Sequence, residues 1–164
     1  MQGQKELYDL LEKLSIRFEY HEHPPLATIE NAVIHWSDID SEKCKNIFFR
    51  NHKGNRHYLV ILEHRRQLDI HDLEKRLRQG KLTFASEIRL KKYLGVEPGS
   101  VSPFGLINDT ENHVHVFIDD MLQVSKRIAF HPNVNTATLV ISKDDLIKFL
   151  EYAGNSYEFL RLYD

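Results

Sequence analysis

The sequence predicts an α+β domain: a central mixed, twisted β-sheet with helices around it. Two observations carry this. Apolar residues recur at helical spacing in some segments and alternate or run continuously in others, and the two patterns do not interleave as regular strand–helix units. Strand pairs joined by short polar turns, such as the one at Asn51–Arg56, call for antiparallel pairing, while the helical segments between other strands call for crossovers.

Leu7, Leu10, Leu11 and Leu14 form one stripe and predict a first helix over residues 4–14. Arg17–His21 alternates and reads as a short strand, ended by Pro24-Pro25. Thr28 is placed to cap a short helix reaching His35. Cys44–Arg50 and His57–Leu62 are β-rich runs joined by hairpin chemistry. A helix follows over Asp69–Leu77, with Ile70, Leu73 and Leu77 inward and Gly80 as its stop. Leu82–Ala85 reads as a strand. Ser86 caps a helix reaching Leu94, and Gly95 ends it. Val114–Ile118, Arg127–Phe130 and Thr136–Ile141 complete the strands. Ser142 caps a last helix from Lys143 to Tyr152, with Asp144 and Asp145 suited to its positive end.

The 164 residues fit one domain, 1–164, with 41% hydrophobic and 28% charged residues. No apolar run has the length of a membrane span, and Met1–Glu6 does not read as a secretory signal, so a cytoplasmic setting is expected. A net charge of −2 argues against a DNA-coating protein. Cations nevertheless cluster at Arg50–Arg56, Arg65–Arg66, Lys75–Lys81 and Arg89–Lys92. Each cluster reads either as a phosphate-contacting face or as a solvated turn or helix face.

Several chemistries lack their residues. There is no phosphate-binding Walker loop, dinucleotide fingerprint or Gly-x-Ser-x-Gly elbow. No cofactor is expected. Cys44 could act as a nucleophile, but its apolar neighbours favour a small buried side chain. His21/His23 and His113/His115 each put two imidazoles on one strand face, yet neither pair has a third ligand at a fitting spacing, so no metal is expected. Asp119-Asp120 reads as a turn or helix start.

Two segments stand out. In Lys43–Asn51, alternation puts Lys45, Ile47 and Phe49 on one face, so Lys45 either snorkels to water or lines a pocket. Gly99-Ser100-Val101-Ser102-Pro103-Phe104-Gly105 reads as a tight loop able to hold a small ligand. Taken with His131-Pro132-Asn133 and Asn135–Thr138, and most specifically with Lys45–Tyr58, the chain resembles the YbaK/ProRS-associated editing family, nearest its free-standing alanyl-tRNA(Pro) deacylases. The similarity runs over nearly the whole chain.

The resemblance implies a trans-editing enzyme that hydrolyses the ester of tRNA(Pro) mischarged with alanine. It implies no metal and assistance from the substrate's own ribose hydroxyl. Prolyl-tRNA synthetase is a further candidate partner. Lys45, Gly99, Pro103 and His131 are implied at the catalytic centre. Asn46 and Ser102 are expected to contact substrate, and Ile47, Phe49 and Phe104 to form apolar walls. The alternatives are a Cys-tRNA(Pro) or other small-residue deacylase, or a non-catalytic module that binds charged tRNA.

Overall fold

The computed structural model describes residues 1–25 and 39–164; the helix expected from Thr28 to His35 lies outside them. The strands are β1 (Glu19–Glu22), β2 (Glu42–Asn51), β3 (His57–Glu63), β4 (Leu82–Phe84), β5 (His115–Asp119), β6 (Arg127–Phe130), β7 (Ala137–Ser142) and β8 (Tyr157–Leu160). The helices are α1 (Lys5–Lys13), α2 (Ile70–Leu77), α3 (Glu87–Leu94) and α4 (Lys143–Ala153), with 3-10 turns at Pro103–Asn108 and Asp120–Val124.

The strands join in the order β1-β7-β6-β2-β3-β5-β8, and β4 pairs separately with β2. Pairing is parallel for β2·β6, β3·β5 and β5·β8 and antiparallel elsewhere, which makes the sheet mixed as expected. β3 is buried along its whole length. Its continuous apolar run follows from helices covering both faces.

On one face, Leu7 and Leu11 of α1, Leu90 and Leu94 of α3, and Phe149 and Leu150 of α4 pack on Phe48, Leu59, Ile61, Val116 and Phe130. On the other, Leu73 and Leu77 of α2 pack on Phe49, Tyr58, Val60, Leu62 and Phe117. The period of two along β2 and β3 therefore sorts their side chains between two cores. Each fully buried leucine contributes about 1.5–3 kcal/mol.

The caps follow the sequence at most ends. Ser86 Oγ accepts from Arg89 N–H and Ser142 Oγ from Asp145 N–H, while Gly95 and Gly154 take left-handed C-caps. α2 ends at Leu77 as expected, but Arg78, not Gly80, carries its left-handed cap at φ 56°. β8 has no counterpart among the sequence expectations. Tyr157–Leu160 is a four-residue strand whose pairing with β5 brings together segments far apart in the chain. The Gly99–Gly105 stretch is also more regular than a loop. Ser102 caps a 3-10 turn with Pro103 at its first position, where a missing N–H costs nothing.

Candidate active site

β2 is shared between two neighbours that it leaves in turn. It pairs with β6 only at Glu42 and Lys43, and with β4 only from Phe49 to Asn51. Lys43 C=O accepts from His64 N–H and Asn51 N–H donates to Arg56 C=O, so odd-numbered residues of β2 spend their backbone groups on β3. Even-numbered residues point theirs the other way, and Phe48 C=O there accepts from Ala85 N–H. Asn46 lies past β6 and short of β4. Its backbone edge is covered by no strand among the described residues, and the sheet opens there.

The register sets what flanks this opening. Lys43 is level with Ala129 in the parallel β2·β6 pair. The pairing ends there: Lys45 lies two residues further along β2, and His131 is the residue that follows β6. Asn46 shares the face of Cys44 and Phe48, toward the main core. Its Oδ1 is buried without a hydrogen-bond partner among the described residues. A buried unpaired acceptor costs about 1–3 kcal/mol.

His131 places Nδ1 2.9 Å from Ala137 O. A carbonyl only accepts, so the ring proton sits on Nδ1 and the neutral ring keeps a lone pair on Nε2. Burial pushes its pKa below the ordinary value, and nearby His23 acts in the same direction. The two rings lie 6.0 Å apart. His23 in turn places Nδ1 2.9 Å from Pro24 O and Nε2 2.9 Å from Thr138 Oγ1. Thr138 and Asn133 lie in segments that carry the family resemblance, but their contacts are made across the fold and no local pattern signals them.

The Gly99–Pro103 loop meets the segment after His131. A Cβ on Gly99 would lie 3.7 Å from Asn135 Nδ2, and Asn133 Nδ2 donates to Phe104 O at 3.3 Å. Phe104 sets its ring edge-on against Phe130, the last residue of β6, at 5.9 Å. Gly99 adopts φ 88°, a conformation suited to glycine. Ser100 N–H donates to Glu97 O, Phe104 N–H to Ser102 Oγ and Gly105 N–H to Ser102 O. The amides of Val101 and Ser102 have no such partner among the described residues.

Not every expected residue joins this opening. Lys45 lies on the α2 face with Ile47 and Phe49, and its Nζ donates to Arg66 O at 2.8 Å. Phe49 is fully buried in the α2 core and Phe104 fully buried in the main core. They stand on opposite sides of the sheet, so they do not wall one cavity with Ile47. Strand alternation could separate Phe49 from Asn46 but could not say which layer would receive Phe104. Ser102 is also fully buried, and its hydroxyl is a cap. A groove of about 780 Å³, lined by Glu42, Glu63, Arg65, Arg66, Lys126 and Arg127, opens at the paired end of β2 and β6. None of the expected site residues lines it.

The other candidates are engaged elsewhere. Cys44 is buried, which drives its thiol pKa well up and leaves it unreactive. His21 lies 3.1 Å from Glu19, and His115 reaches Ser156 at 2.6 Å and Glu158 at 3.1 Å. No cluster of three or more metal-ligating side chains occurs among the described residues. Asp119 caps the 3-10 turn at Asp120–Val124. No helix among the described residues is long and apolar enough to cross a membrane.

A family model described as an aminoacyl-tRNA editing domain matches residues 23–149. The chain is 40% identical over 156 residues to the prolyl-tRNA editing protein ProX of Acetoanaerobium sticklandii, covering 93% of each. It is 36% identical over 149 residues to the prolyl-tRNA synthetase associated domain-containing protein 1 of Danio rerio, covering 90% of this chain and 80% of that one. The fold matches a crystal structure of a hypothetical protein with a TM-score of 0.72 at 17% identity, over 95% of this chain and 99% of that one. It also matches a crystal structure of a candidate trans-editing enzyme for prolyl-tRNA synthetase, with a TM-score of 0.67 at 19% identity over 97% and 98%.

Proposed function

The chain belongs to the aminoacyl-tRNA editing-domain family, and from that premise we propose that it is a trans-editing deacylase that clears alanine from mischarged tRNA(Pro). The observation that carries this reading is the opening between β2 and β6. It presents on Asn46 a buried acceptor with no partner among the described residues, and His131, which follows β6, holds a fixed tautomer. The prolyl-tRNA editing relative supports the choice of tRNA.

Water adds to the ester carbonyl, the tetrahedral centre collapses, and the ribose oxygen leaves with a proton. The products are alanine and free tRNA. The side chains around the opening position these groups. Asn46 Oδ1 accepts from the alanine ammonium or a ribose hydroxyl. His131 Nε2 accepts from the ribose hydroxyl next to the ester, or from the water that it orients. The Val101 and Ser102 amides donate to the developing oxyanion. Gly99 and Pro103 fix the loop that carries those amides. Lys45, on the α2 face outside the opening, spends one of its three N–H donors on Arg66 O and keeps the others for a substrate phosphate that reaches that face.

Alanine fits any site built for proline, because one or two missing methylenes are worth only about 1–3 kcal/mol. A second site too small for the proline ring completes the discrimination. This reading requires no metal and places the protein with the cytoplasmic tRNA pool, where prolyl-tRNA synthetase supplies the substrate.

The test is a panel of tRNA(Pro) esters of alanine, cysteine, serine and proline, with wild type and Lys45→Ala side by side. Catalytic release of alanine is expected, unchanged by EDTA, with a fall of at least about 100-fold in Lys45→Ala and an unaltered Tm. Preferential release of cysteine or serine moves the substrate within the class. Stoichiometric binding without turnover overturns the proposal.

A further inference from the structure

His131 takes its orientation from Ala137, whose carbonyl accepts from Nδ1. The residues on either side of Ala137 are both bound by His23. His23 N–H donates to Thr136 O at 3.0 Å, and His23 Nε2 lies 2.9 Å from Thr138 Oγ1. Three consecutive residues at the start of β7 therefore hold two histidines, and the middle one carries the contact of His131.

The register explains how this comes about. β1 and β7 pair as far as His21 with Thr138 and Glu22 with Ala137. His23 follows directly, and its backbone bond to Thr136 extends the antiparallel pairing by one step. That bond is made by the main chain and survives any substitution of the side chain except proline. The contact with the Thr138 hydroxyl is made by the side chain alone.

The roles of the ring atoms follow from their partners. His23 Nδ1 lies 2.9 Å from Pro24 O, and a carbonyl only accepts, so Nδ1 carries a proton. In the neutral ring Nε2 then accepts from the Thr138 hydroxyl, which is only 2% exposed and needs a partner inside the protein. Both nitrogens of His23 are engaged, which suits a support and not a proton carrier. The ring also stands edge-on to His131, with centroids 6.0 Å apart and planes at 63°. It fills space on that side into which the His131 imidazole would otherwise turn.

We infer that His23 is the positioning residue for His131: it grips the chain on both sides of the carbonyl that fixes the His131 proton, and its ring limits rotation of that imidazole. This rests on the reading of the chain as an aminoacyl-tRNA deacylase and adds the residue that holds its histidine.

The experiment uses the full chain with His23→Ala, His23→Gln, Thr138→Val and His23→Ala combined with His131→Ala, and Tm is checked for each. In protein labelled with 15N-histidine, long-range proton–nitrogen NMR should read His131 as the Nδ1–H tautomer in wild type and as a mixture of tautomers in His23→Ala. For hydrolysis of Ala-tRNA(Pro), kcat should fall about tenfold in His23→Ala and Thr138→Val with KM unchanged. His23→Gln should stay near wild type, because its amide oxygen reaches the place of Nε2 and accepts from Thr138. The double variant should be no slower than His131→Ala alone, since His23 acts only through that ring. If His23→Ala does not fold, Thr138→Val carries the same readings. An unaltered His131 tautomer, an unaltered kcat against an active wild type, or additive losses in the double variant overturn the proposal. If wild type hydrolyses no ester while His23→Ala still mixes the His131 tautomers, the deacylase reading fails and the support of His131 by His23 stands.

Discussion

His57 Nδ1 lies 2.9 Å from His113 Nε2, and the direction of that hydrogen bond is set by a third residue. Arg89 Nη1 is 2.9 Å from His57 Nε2, and a guanidinium only donates. The His57 proton therefore sits on Nδ1 and is given to His113. Phe48 stacks on the ring at 5.5 Å and Tyr93 lies 4.2 Å away. The chain ties the start of β3 to α3 and to the segment before β5.

A pH-dependent stability follows. Burial, then His113, Arg89, Lys92 and Arg50, push the His57 pKa down to about 4. Below the ordinary value of 6.5 the unfolded chain takes up a proton that the folded chain refuses. The His57 contribution is complete above that value and is lost as pH falls toward 4. The total is at most about 3 kcal/mol, at 1.36 kcal/mol per pKa unit. Urea unfolding at pH 7 and pH 5 should show wild type losing more stability than His57→Phe. Equal losses would remove His57 as the cause.

His131 gives a prediction for activity. Its pKa is lowered, so the ring stays neutral throughout the neutral range and keeps its Nε2 lone pair. Deacylation by wild type should hold constant from pH 8 to the ordinary histidine value of 6.5 and decline only below it. A decline beginning above that value would show that the neutral ring is not the working form. His131→Ala should lower kcat about tenfold or more, the range for a positioned acid–base group or hydrogen-bonding partner.

Asn46 should separate stability from function. Its buried Oδ1 has no partner among the described residues. Asn46→Ala is therefore expected to leave folding stability unchanged or raise it by up to about 1 kcal/mol, because an unsatisfied acceptor is removed. Deacylation should fall about tenfold or more in the same variant. A loss of stability above that size would mean that the side chain is structural.

Gly99 can be tested against Gly80. Both have positive φ, 88° and 79°, and neither Cβ would clash, with 3.7 Å to Asn135 at Gly99 and nothing within 4 Å at Gly80. Alanine at either position should cost about 1–2 kcal/mol through backbone strain alone. Only Gly99→Ala should also lower kcat/KM, because only that strain displaces the loop carrying the Val101 and Ser102 amides. Equal activity in the two variants would detach the loop from the chemistry.

Much of the architecture was legible one segment at a time. The Leu7–Leu11 stripe, the Ser86 and Ser142 caps and the apolar run of β3 each signal their element through local spacing. β8 was not legible, because a short strand at a sheet edge depends on its partner more than on its own four residues. The left-handed cap of α2 at Arg78 was hidden by Gly80, the more usual signal two positions later.

Residue order alone put Lys45 and Asn46 on opposite faces of one strand, a glycine in the turn at Gly99, and a histidine just after the Arg127–Phe130 strand. Those are consequences of local backbone geometry and residue chemistry. Long-range pairing sets that β6 parts from β2 after Lys43 and that β4 joins it at Phe49, which leaves the edge at Asn46 open. Long-range packing puts Phe49 and Phe104 in separate cores. Pairing register and layer assignment are set by contacts between residues far apart in sequence, and period-two alternation cannot tell which of two buried layers a side chain enters.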